Sequence, residues 1–463
     1  MNILLINPWI TDFAAYDFWI KPLGLLYTGA FLAGRGHSVR LIDCMDRFQD
    51  GRGFAVEGET RWYSTGKFRR ESIEKPACLR HIPQQYSRYG IPAGLFRELA
   101  LDGPAPDAVL VTCIMTYWYR GAFEAISIIR GLFPGVPIIM GGIYATLCTD
   151  HARRESGADA IVAESNPSRI VEIVESVAGK KGNGDGVPDH FSGWPEPLWN
   201  LYERLPSAVT MTSRGCPMRC TVCASHLLFG GFERKNPSDA AASIAKLAAR
   251  GVSDVAFCDD ALLIDAGRFA LPFFEELAVR KPPIRLHTPN GLHVREITAE
   301  LAALMKAAGI VTVRLSLETA SRERARDFSG KATRDDFRSA VEALFSAGYT
   351  AADIGAYILV GLPGQTAGEV AETAEFVLES GVTVKPALFS PVPGTVEFDR
   401  AVEAGMIRRD DDPVLQNNSL RKFDLWGGDE TGRYERFKQA VAGANRELVQ
   451  SGTFRQGLFD GIR

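Results

Sequence analysis

Short, unbroken apolar runs alternate with amphipathic stretches along most of the chain. In its first part, residues 2–7, 38–43, 107–113, 136–141 and 158–163 read as strands, and 24–35, 121–133, 149–156 and 167–178 as helices. A strand apolar at every position must be covered on both faces, as in a parallel sheet layered with helices. This order predicts an α/β, doubly wound, flavodoxin-like domain over residues 1–178. A second alternation follows. Strands near 208–213, 254–258, 284–288, 311–317, 353–360 and 382–389 are separated by helices at 237–250, 266–280, 298–308, 334–347 and 367–380. Gly251, Gly309, Gly348 and Gly381 fall where those helices end, and Thr298 and Asp335 lie near helix starts. Repeated βα units predict an open, partial (β/α)6 barrel over residues 206–400.

Glycine and proline density marks residues 179–205 as a linker, which Trp194, Trp199 and Tyr202 are expected to pin against one domain. Residues 401–463 form a C-terminal extension: helical patterns at 396–405 and 432–450 flank a polar stretch with Trp426, and 452–463 look irregular. Residues 44–106 interrupt the first domain as an irregular insertion. Between 51 and 90 it holds eight Lys/Arg against four Glu, interleaved with Trp62, Tyr63, Phe68, Tyr86 and Tyr89. Basic residues with aromatics suit nucleic acid or an anionic substrate, while a solvated loop draped over the domain is the commoner outcome. We expect the insertion to help cover the active site.

A chain of 463 residues suggests two or three domains, and 46% hydrophobic with 23% charged residues is the composition of a soluble globular protein. The net charge is 52 − 56 = −4, which gives no global electrostatic case for nucleic acid. No apolar run approaches the ~18 residues of a membrane helix. The apolar start Met1–Pro8 lacks a basic leader, so the cytoplasm is the expected location. There the eight cysteines do not imply disulfides, and Cys113 and Cys258, in strand-like runs, read as core residues.

Three of the eight stand apart. Cys216, Cys220 and Cys223 have the spacing C-x3-C-x2-C. Three thiolates can hold an iron–sulfur cube with one iron left open, which is where chemistry happens. They can equally be part of a zinc site completed by His226, or unrelated thiols. Position favours the cube. In a βα barrel the chemistry sits on the loops after the strands. Here those six loops carry, in order, the three cysteines; Asp259 and Asp260; Asn290 and Gly291; Glu318; Gly361-Leu362-Pro363-Gly364; and Pro391 to Thr395. In the doubly wound domain the corresponding strand ends carry Asn7-Pro8-Trp9, Asp43, Thr112 to Tyr117, Gly141-Gly142-Ile143-Tyr144 and Glu164-Ser165. Gly141 and Gly142 either admit a bulky ligand or simply form a tight turn.

The segment Val209 to Cys223, together with Phe257-Cys258-Asp259-Asp260, Val313 to Glu318 and Ile358 to Gly364, resembles the radical S-adenosylmethionine (SAM) superfamily over residues 206–400. The resemblance implies that Cys216, Cys220 and Cys223 ligate a [4Fe-4S] cluster and that the open iron chelates SAM. It implies that Glu318, Asp260 and Asn290 meet the polar edge of SAM and that Gly361 and Pro363 lie along its adenine. Val222 stands where the family often has an aromatic residue.

Residues 21–27, 36–43 and 139–146 resemble the cobalamin-binding (B12) domain of class B type radical SAM proteins. That resemblance implies cobalamin contacts from Trp9, Leu23, Gly24, Thr116, Tyr117, Gly141, Gly142 and Glu164, with Trp118 and Tyr119 as further aromatic candidates. There is no D-x-H-x-x-G motif to supply a histidine to cobalt. The implied activity is a cobalamin-dependent methyltransferase that cleaves SAM to a 5′-deoxyadenosyl radical and methylates an unactivated carbon. It implies a small-molecule or peptide substrate and an electron donor such as flavodoxin or ferredoxin. The alternatives are radical cyclisation or rearrangement without methyl transfer, and a non-catalytic metal-binding protein. A methylthiotransferase needs a second cysteine cluster at the strand ends of its first domain, where only Cys113 sits near a suitable place.

Overall fold

In the computed structural model the apolar runs of the first part form strands β1 (Asn2–Asn7), β2 (Ser38–Asp43), β3 (Ala108–Thr112), β4 (Ile138–Gly141) and β5 (Ala160–Ile161). The structure describes residues 1–48, 60–328, 330, 332–420, 431–454 and 457–459. Trp426, the insertion's Arg52, Glu57 and Glu59, and half of the C-terminal segment expected to be irregular lie outside those residues. Strand order is β5-β4-β3-β1-β2, every pairing is parallel, and this is the expected flavodoxin-like order. Helices α1 (Leu23–Gly34), α2 (Ala93–Leu101), α3 (Tyr119–Leu132), α4 (Ile143–Leu147), α5 (Thr149–Glu155) and α6 (Pro167–Val177) accompany the sheet. Leu4, Leu5, Ile6, Val109 and Ile138 are fully buried, as a doubly covered sheet requires. The start of α6 follows from its sequence: the Asn166 side chain accepts from Ser168 N at 2.9 Å and Pro167 opens the first turn.

The insertion is more ordered than expected. Ser87–Tyr89 pairs antiparallel with Arg70–Ser72 on one side and with Ile10–Asp12 on the other. Phe68 and Tyr89 pack with Ile10 and Met45 in one buried cluster, and Tyr86 donates its hydroxyl to Thr11 O at 2.9 Å. The interleaved aromatics are therefore largely core, although Trp62 is exposed. The linker aromatics also pack as expected. Trp194 meets the rings of Tyr27 and Phe31 at 5.2 and 5.1 Å, and Tyr202 donates to Asp43 Oδ2 at 2.6 Å.

By internal packing the chain divides into two units, residues 1–209, 227–233 and 412–415, and residues 210–226, 234–411 and 416–463. The second sheet comprises β6 (Ser207–Thr210), β7 (Asp254–Phe257), β8 (Arg285–His287), β9 (Ile310–Glu318), β10 (Ile354–Val360) and β11 (Thr383–Leu388). They lie in that order, with the short strand Leu292–His293 beside β9. The pairings from β7 to β11 are parallel. The helices between them are α7 (Pro237–Ala249), α8 (Ala270–Arg280), α9 (Ala299–Ala307), α10 (Arg334–Ser346) and α11 (Ala367–Glu379), followed by α12 (Val396–Glu403) and α13 (Thr431–Ser451).

Thr298 caps α9 by accepting from Leu301 N at 3.2 Å. Asp335 sits in the first turn of α10, whose cap is Thr333 in a capping box with Asp336. Beside β11, Asn445 of α13 accepts from Val384 N at 2.8 Å and donates to Val384 O at 2.9 Å. One side-chain amide thus satisfies backbone groups of the last strand.

Candidate functional site

Cys216, Cys220 and Cys223 lie on the loop after β6. Cys216 and Cys220 are half-buried and Cys223 is exposed. Ser225 N donates to Cys223 Sγ at 3.4 Å, the kind of N–H···S bond that tunes cluster sulfurs. Although part of Cys223 meets solvent, desolvation by the surrounding loop pushes its thiol up, and Asp260, Cys220 and Cys216 add to this. A positively charged metal group would reverse that bias.

Among the described residues no group of three or more His, Cys, Asp or Glu converges on a point that one ion could occupy. A cube differs, because each thiolate binds its own iron and the three sulfurs stand apart. The donor set fits the cube.

The loop is held from behind. Thr221 N donates to Asp327 O at 2.9 Å and Glu397 N to Thr221 O at 3.1 Å. Thr221 Oγ1 donates to Glu397 Oε1 at 3.0 Å, and Arg400 joins Glu397 and Asp327 at 2.6 and 2.8 Å. Glu397 is 1% exposed, and its Oε2 is buried without a hydrogen-bond partner.

The next loops connect to this one. Asp259 Oδ1 accepts from Thr212 N, Thr212 Oγ1, Ser213 N and Ser213 Oγ, at 2.9, 2.7, 2.5 and 2.8 Å. Its Oδ2 is buried without a partner. Burial pushes its carboxyl up to about 6 despite those four bonds. Asp259 thus staples the segment that leads into the cysteines. Its neighbour Asp260 accepts from Ser225 Oγ at 2.6 Å, and desolvation raises its carboxyl. Asn290 Nδ2 donates to Asp259 O at 3.2 Å. Gly291 is pressed against Ser316, whose Oγ would lie 2.2 Å from an added methyl. Ser316 Oγ in turn donates to Glu318 Oε1 at 3.0 Å.

Glu318 has φ of 68°, at a register shift in the β9–β10 pairing. A non-glycine residue in the left-handed region at a strand end is strain of the kind found at functional sites. After β10, Gln365 holds the Gly361-to-Gly364 turn. Its Oε1 accepts from Gly361 N at 2.7 Å and Leu362 N at 3.2 Å, while its Nε2 donates to Leu359 O at 2.9 Å. Pro363 O accepts from Arg324 at 3.5 Å.

In the first unit a shallow depression, with a cavity volume of only about 10 Å³, lies at the carboxyl ends of β1 and β3, lined by residues including Asn7, Ile10, Met45, Cys113 and Trp118. That is the switch point where this topology binds ligands. The eight expected contacts divide unevenly around it. Trp9 lines the pocket but is 1% exposed, donates Nε1 to Ile91 O at 2.7 Å and packs on Phe96 at 4.8 Å. Its surface is spent on the core. Thr116 and Tyr117 are buried. Leu23 is buried at the start of α1, whereas Gly24 is exposed with open space around it.

Gly142 has φ of 94°, and a methyl there would lie 2.7 Å from Cys113 O, so its own turn demands glycine. Gly141 makes only ordinary contacts. Glu164 is exposed and accepts from Ser165 N and Asn166 N at 2.7 and 2.9 Å. Tyr119 is buried with its hydroxyl on Asp412 at 2.7 Å, which leaves Trp118, bonded to Asp12 Oδ2 at 2.7 Å, on the pocket wall.

Sequence reasoning missed Ser225, Asp327 and Glu397. Ser225 follows the last cysteine by two residues, which is a readable signal. The other two lie far along the chain and leave none.

A profile of the Radical SAM superfamily matches residues 210–377. Among curated proteins the chain is 25% identical, over 332 residues, to an uncharacterized methyltransferase of Pyrococcus horikoshii, across 65% of this chain and 71% of that protein. It is 24% identical, over 377 residues, to a tRNA-2-methylthio-N(6)-dimethylallyladenosine synthase of Frankia casuarinae, across 74% of this chain and 68% of that protein. Among solved structures, the radical SAM methyltransferase TsrM of Kitasatospora setae, with cobalamin and a [4Fe-4S] cluster bound, superposes with a TM-score of 0.63 at 16% identity. That match covers 90% of this chain and 81% of TsrM, and at such identity it is a likeness of fold. Residues 210–377 thus carry a radical SAM domain, and the chain as a whole shares its fold with the cobalamin-bound radical SAM methyltransferase TsrM.

Proposed function

We propose that this chain is a cobalamin-dependent radical SAM methyltransferase acting on an unactivated carbon. The observation that carries the reading is the three-cysteine loop at the end of β6, braced by Asp259 and Glu397 and flanked by Ser225 and Asp260. Cys216, Cys220 and Cys223 would each hold one iron of a [4Fe-4S] cluster. When bound, such a cluster would supply the one-electron reduction that cleaves SAM. Asp260, Asn290 and Glu318 would orient the polar edge of SAM, and the turn Gly361 to Gly364 would support its adenine. Cobalamin, the methyl carrier, would sit at the pocket between β1 and β3. The protein's part is binding, orientation and exclusion of water. A flavodoxin- or ferredoxin-type donor would provide the electron, and the substrate would be a small molecule or a peptide in the cytoplasm.

Anaerobic reconstitution followed by cobalamin analysis and incubation with methyl-labelled SAM tests this. Stoichiometric cobalamin and labelled product support it. A protein that cleaves SAM but never retains cobalamin sinks the methyltransferase half. The shallowness of that depression, with Trp9 buried and Gly142 explained by its own turn, favours a second reading of radical chemistry without methyl transfer. Methylthio transfer is disfavoured. Cys44 and Cys113, at the ends of β2 and β3, are buried, and burial pushes the Cys113 thiol up to about 12. A cluster needs thiolates.

A further inference from the structure

The strands that end in the cofactor loops carry a second set of polar side chains. Along β9 the buried Val313, Leu315 and Leu317 alternate with Arg314, Ser316 and Glu318. Successive side chains of a strand point to opposite faces. Register places Arg314 beside Gly355 and Ser316 beside Tyr357, and Tyr357 beside Lys385. Arg314, Tyr357 and Lys385 therefore share one face of the sheet. The other face, with Ile354, Ala356, Ile358 and Val360 fully buried, is the one on which α11 packs. The polar set faces the inside of the barrel.

Two cations meet there. A methyl on Gly355 would lie 2.8 Å from Lys385 Cε and 3.0 Å from its Cγ. The lysine stem thus crosses Gly355, the residue beside Arg314, and glycine is what makes room for it. Arg314 gives one Nη to Val313 O and Asp353 O, at 3.0 and 3.4 Å. Among the described residues neither cation pairs with a carboxylate. Burial, and then the neighbouring Arg314, push the Lys385 amine down to about 8. Both cations are half-buried, and a cation held partly out of water gains from an anion that meets it. The free part of a guanidinium fork beside an ammonium can meet a carboxylate or another oxyanion.

We infer that Arg314 and Lys385 form a binding site for a carboxylate group of the substrate on the inner face of the barrel, with the Tyr357 ring as one wall. The word "substrate" rests on the proposed enzymatic function; the anion site does not. SAM carries a carboxylate too, so the test separates the two sources.

The full chain would be pulsed with acetic anhydride and acetylation of Lys385 quantified by peptide mass spectrometry, in sodium acetate, in sodium phosphate and in sodium chloride of equal ionic strength. Acetate or phosphate should slow Lys385 labelling about tenfold relative to chloride, the drop in neutral amine that a one-unit rise in its pKa produces. Lys306, which lies 3.8 Å from Asp353, serves as the unaffected control. Arg314→Met should abolish the protection and Arg314→Lys should retain part of it; if the methionine variant does not fold, the wild-type arms still decide. Equal labelling in all three salts overturns the site. In the reconstituted protein, SAM alone should not protect Lys385; protection by SAM alone overturns the assignment to substrate. These measurements need neither cobalamin nor turnover, so their failure is distinct from failure of the methyltransferase reading.

Discussion

Replacing Asp259 with asparagine tests how the cysteine loop is held. One oxygen of Asp259 takes all four hydrogen bonds and the other has none. Asparagine can keep the accepting oxygen and place its amide where the unpartnered oxygen was, so the staple survives. What changes is the charge. The folded protein holds the carboxyl at about 6 against an ordinary value of 3.8, because burial disfavours the ionised form. The folded state therefore binds the proton more tightly than the unfolded state. Stability from this group is present below 3.8 and is lost as pH rises through about 6. At 1.36 kcal/mol per unit the loss is about 3 kcal/mol. The asparagine variant lacks this penalty, so relative to wild type it should gain ~3 kcal/mol across that pH window. Asp259→Ala differs. It strands the Thr212 and Ser213 amides in the interior and should cost ~3–5 kcal/mol at low pH, a cost that shrinks by the same ~3 kcal/mol as pH rises through the window, because alanine does not titrate either. Urea unfolding of the three proteins across the window measures both effects. A wild-type-to-asparagine difference that does not change with pH would refute the reasoning.

Other substitutions probe other links. Alanine at any one of Cys216, Cys220 or Cys223 should abolish cluster assembly and SAM cleavage while leaving far-ultraviolet circular dichroism unchanged. Glu397→Ala removes the acceptor of Thr221 and Arg400; it should cost ~1–3 kcal/mol in unfolding and speed iron loss to a chelator. Trp9→Phe loses the bond to Ile91 O; it should lower stability by ~1–3 kcal/mol and leave cobalamin content unchanged, because the ring is spent on the core.

The strands of both units were legible because each is a local apolar run, and the cysteine loop because its ligands lie within eight residues. Boundaries slipped where local chemistry intervened. The helix expected from 266 begins at Ala270, after Asp265 turns the chain with φ of 55°. The insertion was misread because the burial of Tyr89 depends on its pairing with Ile10, 79 residues away. The loop's brace was invisible for the same reason: Thr221 and Glu397 are 176 residues apart. At the positions where resemblance implies cobalamin contacts, several residues also serve the chain itself. Gly142 answers to its own turn, and Trp9 to Phe96 and Ile91. The pattern Val313 to Glu318 held a period-two signal that resemblance to a cofactor motif obscured; Arg314 is one of its inward residues.

The central claim is that the loop at Cys216, Cys220 and Cys223 holds a cluster with an open, SAM-binding iron. Electron paramagnetic resonance of the reduced, anaerobically reconstituted protein, recorded without and with SAM, tests it most directly. The account predicts a [4Fe-4S]+ signal whose shape changes when SAM is added and which is absent from each cysteine variant. A signal indifferent to SAM, or zinc in place of iron, would contradict it.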